Sequence, residues 1–197
     1  MEPQPVEPTP VEPTDHSDPI PSGASTTWRI RPAVPGDEVP IAALVRELAD
    51  YEREPDAAQA TPDDFAVALF GPDPRLHALV AQVTGPDGVA AVVGMAVWFV
   101  TFSTWTGRHG IWLEDLFVQP AHRRLGLGRA LLATLAATGR DRGWTRLDWS
   151  VLDWNEPAHG FYRAIGAGPM EEWTTWRLTG EDLHRLAAEA PGLPSSG

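Results

Sequence analysis

The stretch 111–135, IWLEDLFVQPAHRRLGLGRALLATL, most constrains the fold, because it joins an apolar strand to an amphipathic helix through a basic turn that contains glycine. Ile111–Val118 is rich in aliphatic and aromatic residues at both odd and even positions, which is typical of a strand covered on both faces. Leu127, Leu131 and Leu135 predict one apolar stripe of a helix. The sequence therefore predicts a central strand that leads directly into a packed helix.

The turn Arg123–Gly128 has the composition of an anion-binding site. The first N–H groups of a helix lack partners within the helix, and the helix dipole adds roughly half a positive charge there. Gly126 and Gly128 remove side chains that would keep a phosphate away from those groups. The spacing fits neither GxxxxGK[ST] nor GxGxxG, so a nucleotide P-loop and a dinucleotide fingerprint are disfavoured. The alternative is a tight turn with solvent-facing arginines.

Composition argues against several classes of function. The 197 residues contain no cysteine, so a disulfide framework and a cysteine nucleophile are unavailable, and the cytoplasm is the simplest compartment. The net charge of −12 argues against nucleic-acid binding but would attract small cations. No apolar run approaches the roughly 20 residues of a membrane span, so no membrane partner is expected. The histidines lack ligand spacing, and we expect no metal.

The chain is predicted to consist of a leader, one domain and a tail. Residues 1–25 repeat a Val-Glu-Pro-Thr theme and predict a disordered Pro/Glu-rich leader, because they cannot bury enough apolar surface to offset the entropy of ordering. Residues 26–190 are predicted to form the domain, and residues 191–197 a disordered tail.

Within the domain, apolar periodicity and turn residues predict a mostly antiparallel sheet with one parallel step and helices on both faces. Strands are predicted at Thr27–Arg31, Leu76–Val83, Ala90–Phe102, Ile111–Val118, Thr145–Leu152 and Met170–Leu178, with a turn at Gly107–Gly110. Helices are predicted from Asp37 to about Tyr51, from Thr61 to Gly71, from the basic turn to Gly143, from Asn155 to Gly166 and from about Gly180 to Ala190.

Several motifs in order resemble a known family. Arg-x-x-Gly-x-Gly after an apolar strand resembles the acetyl-CoA pyrophosphate loop of the GNAT superfamily of N-acetyltransferases. LEDLFV, RRLGLG, VLDWNEP, FY and WRL together resemble its diamine (spermidine/spermine) acetyltransferase family, from about Trp28 to about Glu189. The resemblance implies the α/β GNAT fold, with a mixed, mostly antiparallel twisted sheet of six to seven strands. That sheet would be flanked by helices on both faces and splayed at its central parallel pair.

Acetylation of an amine requires a neutral amine and a proton for the departing thiolate. An alkyl ammonium has a pKa near ~10.4, so its deprotonation at pH 7 costs roughly 4–5 kcal/mol, and a nearby carboxylate can relay the proton. Glu114 is the candidate. On a regular strand Glu114 and Asp115 would face opposite sides, whereas a bulge, which the resemblance implies, would bring both to one cleft. An ion pair with an arginine is an equal alternative for Asp115.

The resemblance assigns the remaining site residues. Tyr162 would be the general acid that protonates the coenzyme A thiolate, although a buried tyrosine with a hydrogen-bonded hydroxyl is the alternative. The Val118 N–H would stabilise the oxyanion, and Trp176 would bind substrate with Glu114 and Asp115. Asn155 matches a cofactor position and is also a helix cap. The predicted acetyl-CoA contacts are Leu116, Phe117, Val118, Arg123, Arg124, Leu125, Gly126, Leu127, Gly128, Arg129, Ala130, Asn155 and Tyr162.

Two positions depart from the polyamine acetyltransferases. Ser103 stands where they carry Asp, and Asp148 where they carry His, while VLDWN looks more like the branch that acetylates thialysine and related amino acids. We therefore expect an acetyl-CoA-dependent N-acetyltransferase of a polyamine, a diamine or a thialysine-like amino acid. The alternatives are an enzyme for an antibiotic, a xenobiotic amine or a protein N-terminus, and an inactive acyl-CoA-binding sensor. The resemblance also implies a homodimer.

Overall fold

The computed structural model describes residues 26–191 of the chain. The chain divides into two compact units, Met1–Ser150 and Val151–Gly197, whose described parts are residues 26–150 and 151–191. The predicted leader, and residues 192–197 of the predicted tail, lie outside the described residues. In the part of the chain that the structure describes, no helix is long and apolar enough to cross a membrane.

The first unit contains one open mixed sheet in the strand order β1-β2-β3-β4-β5. Strands β1 to β4 pair antiparallel, and β5 pairs parallel with β4, which confirms the predicted single parallel step. The predicted number of six to seven strands is wrong, because residues 26–191 form five. The strands are β1 (Thr27–Pro32), β2 (His77–Thr84), β3 (Ala90–Ser103), β4 (Arg108–Val118) and β5 (Leu147–Trp149). The helices of this unit are α1 (Glu38–Glu52), α2 (Pro62–Phe70) and α3 (Leu127–Asp141), with 3-10 turns at Pro55–Ala57 and Pro120–His122.

Helices cover both faces of the sheet. Helices α1 and α2 pack on one face, around a core that includes Ile41, Leu44, Phe65, Met95 and Phe117. Helix α3 packs on the other face, where a Cβ added at Gly139 would lie 3.8 Å from Cδ1 of Ile111. The predicted stripe of α3 is completely buried, as its three leucines are at most 1% exposed. The face that carries α1 is called the α1 face below.

Strands β4 and β5 differ from their predicted bounds because strand pairing overrides local turn signals. Residues 104–107 form the turn between β3 and β4, so β4 begins at Arg108, three residues before the predicted Ile111. Pairing of Arg108 with Ser103 extends the hairpin to its tip. Strand β5 is shorter than the predicted Thr145–Leu152, because only three of its residues pair with β4.

The second unit contains α4 (Glu156–Ala164) and α5 (Gly180–Ala187) and no strand within residues 151–191. The predicted strand Met170–Leu178 is therefore wrong. Strand-forming residues stabilise a sheet by packing on a half-buried pleated surface beside a paired neighbour. The described part of this unit offers no such neighbour, and Trp176 is 91% exposed.

Candidate active site

A β-bulge lies at Glu114. The ladder between β3 and β4 pairs Val97 with Asp115 and Trp98 with Leu113, so Glu114 is an extra residue without a partner in β3. An extra residue in one strand shifts the alternation of side chains by one position. Glu114 and Asp115 therefore both project on the α1 face, as the bulge predicted from the resemblance requires.

The bulge also reverses which backbone groups face which neighbour. Before it, the Ile111 N–H donates to the Arg146 carbonyl at 3.0 Å, towards β5; after it, the Gln119 N–H donates to the Val93 carbonyl at 2.9 Å, towards β3. Because N–H and C=O groups alternate along a strand, those of Phe117 face β3 and those of Leu116 and Val118 face away from it.

The edge of β4 beyond the bulge has no strand beside it in the described first unit. The parallel ladder ends where Leu113 pairs with Trp149, whereas β4 continues to Val118. The backbone groups of Leu116 and Val118 thus lie along an open strand edge. An extended chain that carries amides can pair with such an edge as an added strand does.

The two carboxylates lie in different environments. Glu114 is exposed, and one of its carboxylate oxygens accepts a hydrogen bond from the Trp112 indole N–H at 2.8 Å. Asp115 is half-buried, and burial raises its pKa to about 6, with the negative charges of Glu114 and Glu52 adding to the rise. Neither carboxylate forms an ion pair with an arginine among the described residues, so the arginine-paired alternative for Asp115 is not realised.

Glu52 is a site residue that the sequence analysis missed. It is the last residue of α1, and it raises the pKa of Asp115 although the two residues are far apart in sequence. Burial raises the pKa of Glu52 as well. Its position just after the apolar stripe of α1 marks it as a helix end, but no local signal indicates which strand that end approaches.

The start of α3 presents the predicted anion-binding turn. Gly126 precedes the helix with a φ of 81°, and no side chain caps it. A Cβ added at Gly126 would meet no atom within 4 Å, so glycine is required here by the left-handed backbone conformation and not by lack of space. The Ala130 N–H donates to the Gly126 carbonyl at 2.9 Å and is engaged within the helix. The N–H groups of Leu127, Gly128 and Arg129 are the uncapped donors of the first turn.

Arg123 points back towards the strand. Its Nε donates to the Val118 carbonyl at 3.0 Å, and its guanidinium carbon lies 5.1 Å from the centre of the Tyr51 ring and 5.7 Å from that of Phe117. The side chain therefore connects the end of α1, the open edge of β4 and the turn before α3. Arg124 is exposed, with a φ of 67°.

The two positions that depart from the polyamine enzymes lie at different places. The Ser103 hydroxyl accepts a hydrogen bond from the Thr106 N–H at 3.3 Å and stabilises the hairpin turn. Asp148 pairs with Trp112 across the parallel ladder, and its carboxylate binds Nε of Arg146 at 2.9 Å. Asp148 thus lies on the α1 face with the bulge.

Three predicted site residues belong to the second unit and are described within it. Asn155 is 8% exposed, and its side-chain oxygen accepts a hydrogen bond from the Ala158 N–H at 3.3 Å, which confirms the predicted cap of α4. Tyr162 is half-buried, with its ring 5.3 Å from that of Phe161. Trp176 lies between α4 and α5 in the chain. Within residues 26–191, no group of three or more His, Asp or Glu side chains is placed to hold a metal ion.

Comparison with known proteins places this geometry in context. Residues 41–167 match the acetyltransferase (GNAT) family. The chain is 36% identical over 166 residues to the thialysine N-epsilon-acetyltransferase of Bos taurus, covering 81% of this chain and 97% of that protein. It is 27% identical over 206 residues to an L-ornithine N5-acetyltransferase of Arabidopsis thaliana, covering 84% and 90%.

Among solved structures, an integron cassette protein from Vibrio cholerae has a similar fold. The two chains are 26% identical and superpose with a TM-score of 0.65, over 81% of this chain and 97% of the Vibrio protein. The bulged strand, the open edge and the turn before α3 thus lie in a fold shared with proteins of known structure.

Proposed function

Because the chain belongs to the acetyltransferase (GNAT) family and is an acetyltransferase enzyme, we propose that it transfers the acetyl group of acetyl-CoA to a primary amine of a small cationic substrate. The leading substrates are thialysine-like amino acids, followed by diamines and polyamines. Amine acetylation itself is what the relatives named for thialysine and L-ornithine have in common.

The observation that carries the proposal is the bulge at Glu114. It turns two carboxylates to the α1 face and, in the same strand, turns the backbone of Leu116 and Val118 to an open edge. The carboxylates of this strand would thus bind the amine, and its open edge would bind the amide groups of the acetyl-CoA arm beside them. The strand then leads to the uncapped amides before α3, which suit a pyrophosphate.

In the proposed reaction, the ammonium group of the substrate binds among Glu52, Glu114 and Asp115. Glu114 takes a proton from it, directly or through a water molecule, so that the nitrogen gains a free electron pair. The Trp112 indole holds Glu114 on this side of the strand during the transfer. Asp115 provides negative charge for binding the cation.

The neutral amine then attacks the thioester carbonyl carbon. The new C–N bond forms while the C–S bond breaks, and the Val118 N–H donates to the oxyanion that develops on the carbonyl. Tyr162 gives its phenolic proton to the departing thiolate, which a thiol pKa near ~8.5 against about 10 for a phenol permits. The nitrogen of the new amide also gives up its second proton to solvent. Glu114 then releases its proton to solvent and the Tyr162 phenolate takes one back, so that the reaction yields the amide, the free thiol and one net proton.

The acetyl-CoA arm is proposed to follow the open edge at Leu116 and Val118, and the pyrophosphate to bind the N–H groups from Leu125 to Arg129 with Arg123 and Arg124. We further propose a homodimer formed through the second unit. Trp173 is 66% exposed, Trp176 is 91% exposed and Leu186 is 55% exposed, so this unit has apolar surface for a second copy to cover.

The test measures coenzyme A release with acetyl-CoA and a panel of polyamines, diamines, lysine analogues and aminoglycosides. Tyr162→Phe should lower kcat by about 100-fold or more, in the range of general acid catalysis, and should leave acetyl-CoA affinity by calorimetry unchanged. Turnover with none of these amines would contradict the proposal and favour an acyl-CoA-binding sensor. Full turnover by Tyr162→Phe would remove the tyrosine from the mechanism.

A further inference from the structure

One guanidinium lies on the α1 face near the bulge, and no step of the proposed reaction uses it. We propose that Arg146 binds the carboxylate of an amino-acid substrate, so that the enzyme acetylates the side-chain amine of a basic amino acid in preference to a polyamine. This inference rests on the proposed function and specifies its substrate class.

The absence of a side chain at Gly110 lets Arg146 lie against the neighbouring strand, where its ion pair with Asp148 orients it. A Cβ added at Gly110 would lie 2.6 Å from Cγ and 3.1 Å from Nε of Arg146, so any residue larger than glycine would displace it. Arg146 therefore lies flat across β4. A side chain held in one position loses less conformational entropy when it binds a ligand.

Asp148 contacts the guanidinium of Arg146 at its Nε. Its carboxylate contacts Nε at 2.9 Å, and the two side chains are 42% and 38% exposed. In the described residues, Arg146 has no other ion pair, so no second carboxylate occupies its guanidinium. Two parallel N–H donors on a planar guanidinium match the geometry of a carboxylate.

The register between β4 and β5 places Arg146 and Asp148 along β4 in the direction of the bulge. Asp148 lies beside Trp112, and both strands run in the same direction, so Arg146 reaches from the level of Gly110 towards Trp112. From the other direction, Glu114 reaches back to the Trp112 indole. Arg146 and Glu114 therefore approach the Trp112 position from its two sides, and a substrate lying over Trp112 can touch both.

The charges along this line match a basic amino acid. At one end, the carboxylates of Glu52, Glu114 and Asp115 would bind the reacting ammonium group. At the other end, Asp148 would bind the α-ammonium group of the substrate and Arg146 its α-carboxylate. A polyamine brings a second ammonium to the same end, where Asp148 attracts it but the Arg146 charge repels it. Arg146 thus favours a carboxylate at the distal end of the substrate.

The experiment compares each amino acid with the diamine that lacks its carboxylate, using L-ornithine with putrescine and thialysine with its decarboxylated diamine. The kinetics of the full-length protein are measured with saturating acetyl-CoA. The wild type should prefer both amino acids. Arg146→Gln should lower kcat/KM for the amino acids by roughly 10- to 100-fold, mainly through KM, as expected for a lost hydrogen bond to a charged group. It should leave kcat/KM for the diamines unchanged or higher, and Arg146→Lys should restore part of the loss.

The matched control is Arg75→Gln, which breaks an exposed Arg–Asp pair outside the cleft, with side chains 84% and 73% exposed, and should change neither substrate class. An equal loss for amino acids and diamines in Arg146→Gln, or a wild type that prefers the diamines, would overturn the role of Arg146 while leaving the acetyltransferase proposal intact. A wild type that acetylates none of the four amines would overturn this inference, while turnover of another amine in the wider panel would leave the acetyltransferase proposal intact.

Discussion

The two halves of β4 differ in what they contact. Arg108–Leu113 pairs with β3 on one edge, and its last three residues, Ile111–Leu113, also pair with β5 on the other edge. Ile111 and Leu113 are 1% and 2% exposed. The second half begins at the unpaired Glu114, and its Asp115–Val118 pairs with β3 alone. It contains two adjacent carboxylates and leads to the turn before α3. A single extra residue, Glu114, separates the two halves.

The comparison shows how one strand can serve both stability and catalysis. In the first half, β3 lies along one edge throughout, β5 pairs with Ile111–Leu113 on the other edge, and the side chains on the α3 side fill the core. In the second half, the bulge places charge where burial disfavours it and leaves one edge open. Strained or charged features that weaken a fold are often found where a protein binds or reacts.

Among the substitutions that test this difference between the two halves of β4, Glu114→Gln is expected to have the largest effect. The change removes the proton acceptor but keeps the shape of the side chain, so kcat/KM should fall roughly 100- to 10,000-fold. The free energy of unfolding by urea should stay within about 0.5 kcal/mol, since Glu114 is exposed. Glu181→Gln, at an exposed glutamate of α5, is the control. Activity within a few-fold of the wild type would show that Glu114 is not the base.

The second-largest effect is expected from Leu113→Ala, which should lower stability without changing substrate preference. Leu113→Ala empties a buried position in the first half of β4 and should lower the free energy of unfolding by about 2–5 kcal/mol. The ratio of kcat/KM between substrates should not change for the protein that remains folded. Val39→Ala, at a side chain that is 58% exposed, serves as the control for urea denaturation. A change of substrate preference in Leu113→Ala would mean that the two halves are not separable.

The smallest effect is expected from Asp115→Asn. This change should raise the free energy of unfolding at high pH while it lowers activity. The pKa of Asp115 is raised to about 6, above its value in an unfolded chain, so its ionisation above that pH costs the fold roughly 3 kcal/mol. Asp115→Asn should therefore be more stable than the wild type at pH 8, and most of the difference should be lost at pH 4, where the carboxyl is protonated in the folded state and about half protonated in the unfolded chain. Its kcat/KM should fall.

Urea denaturation at the two pH values measures this prediction, with Asp153→Asn, at an exposed aspartate, as the control. Equal stability of Asp115→Asn and the wild type at pH 8 would show that Asp115 carries no such cost.

Much of the first unit, and the cap of α4 in the second unit, could be predicted because their signals are local. The stripe of α3 follows from residue spacing, the cap at Asn155 from residue type, and the hairpin of β2 and β3 from its turn residues. The failures share one cause. Met170–Leu178 has the composition of a strand, but strand formation also requires a partner, and the sequence of the segment does not specify whether one is present.

The sequence by itself determined that an apolar strand leads through Gly126 into an amphipathic helix, that two carboxylates stand in that strand, and which family the motifs resemble. Tertiary structure alone decided that the extra residue is Glu114, that the end of α1 brings Glu52 towards Asp115, and that Arg146 lies over Gly110 with Asp148 beside Trp112. The physical reason is that register and side-chain direction in a sheet depend on pairing between residues distant in sequence, whereas helix stripes and caps depend on neighbours within a few positions.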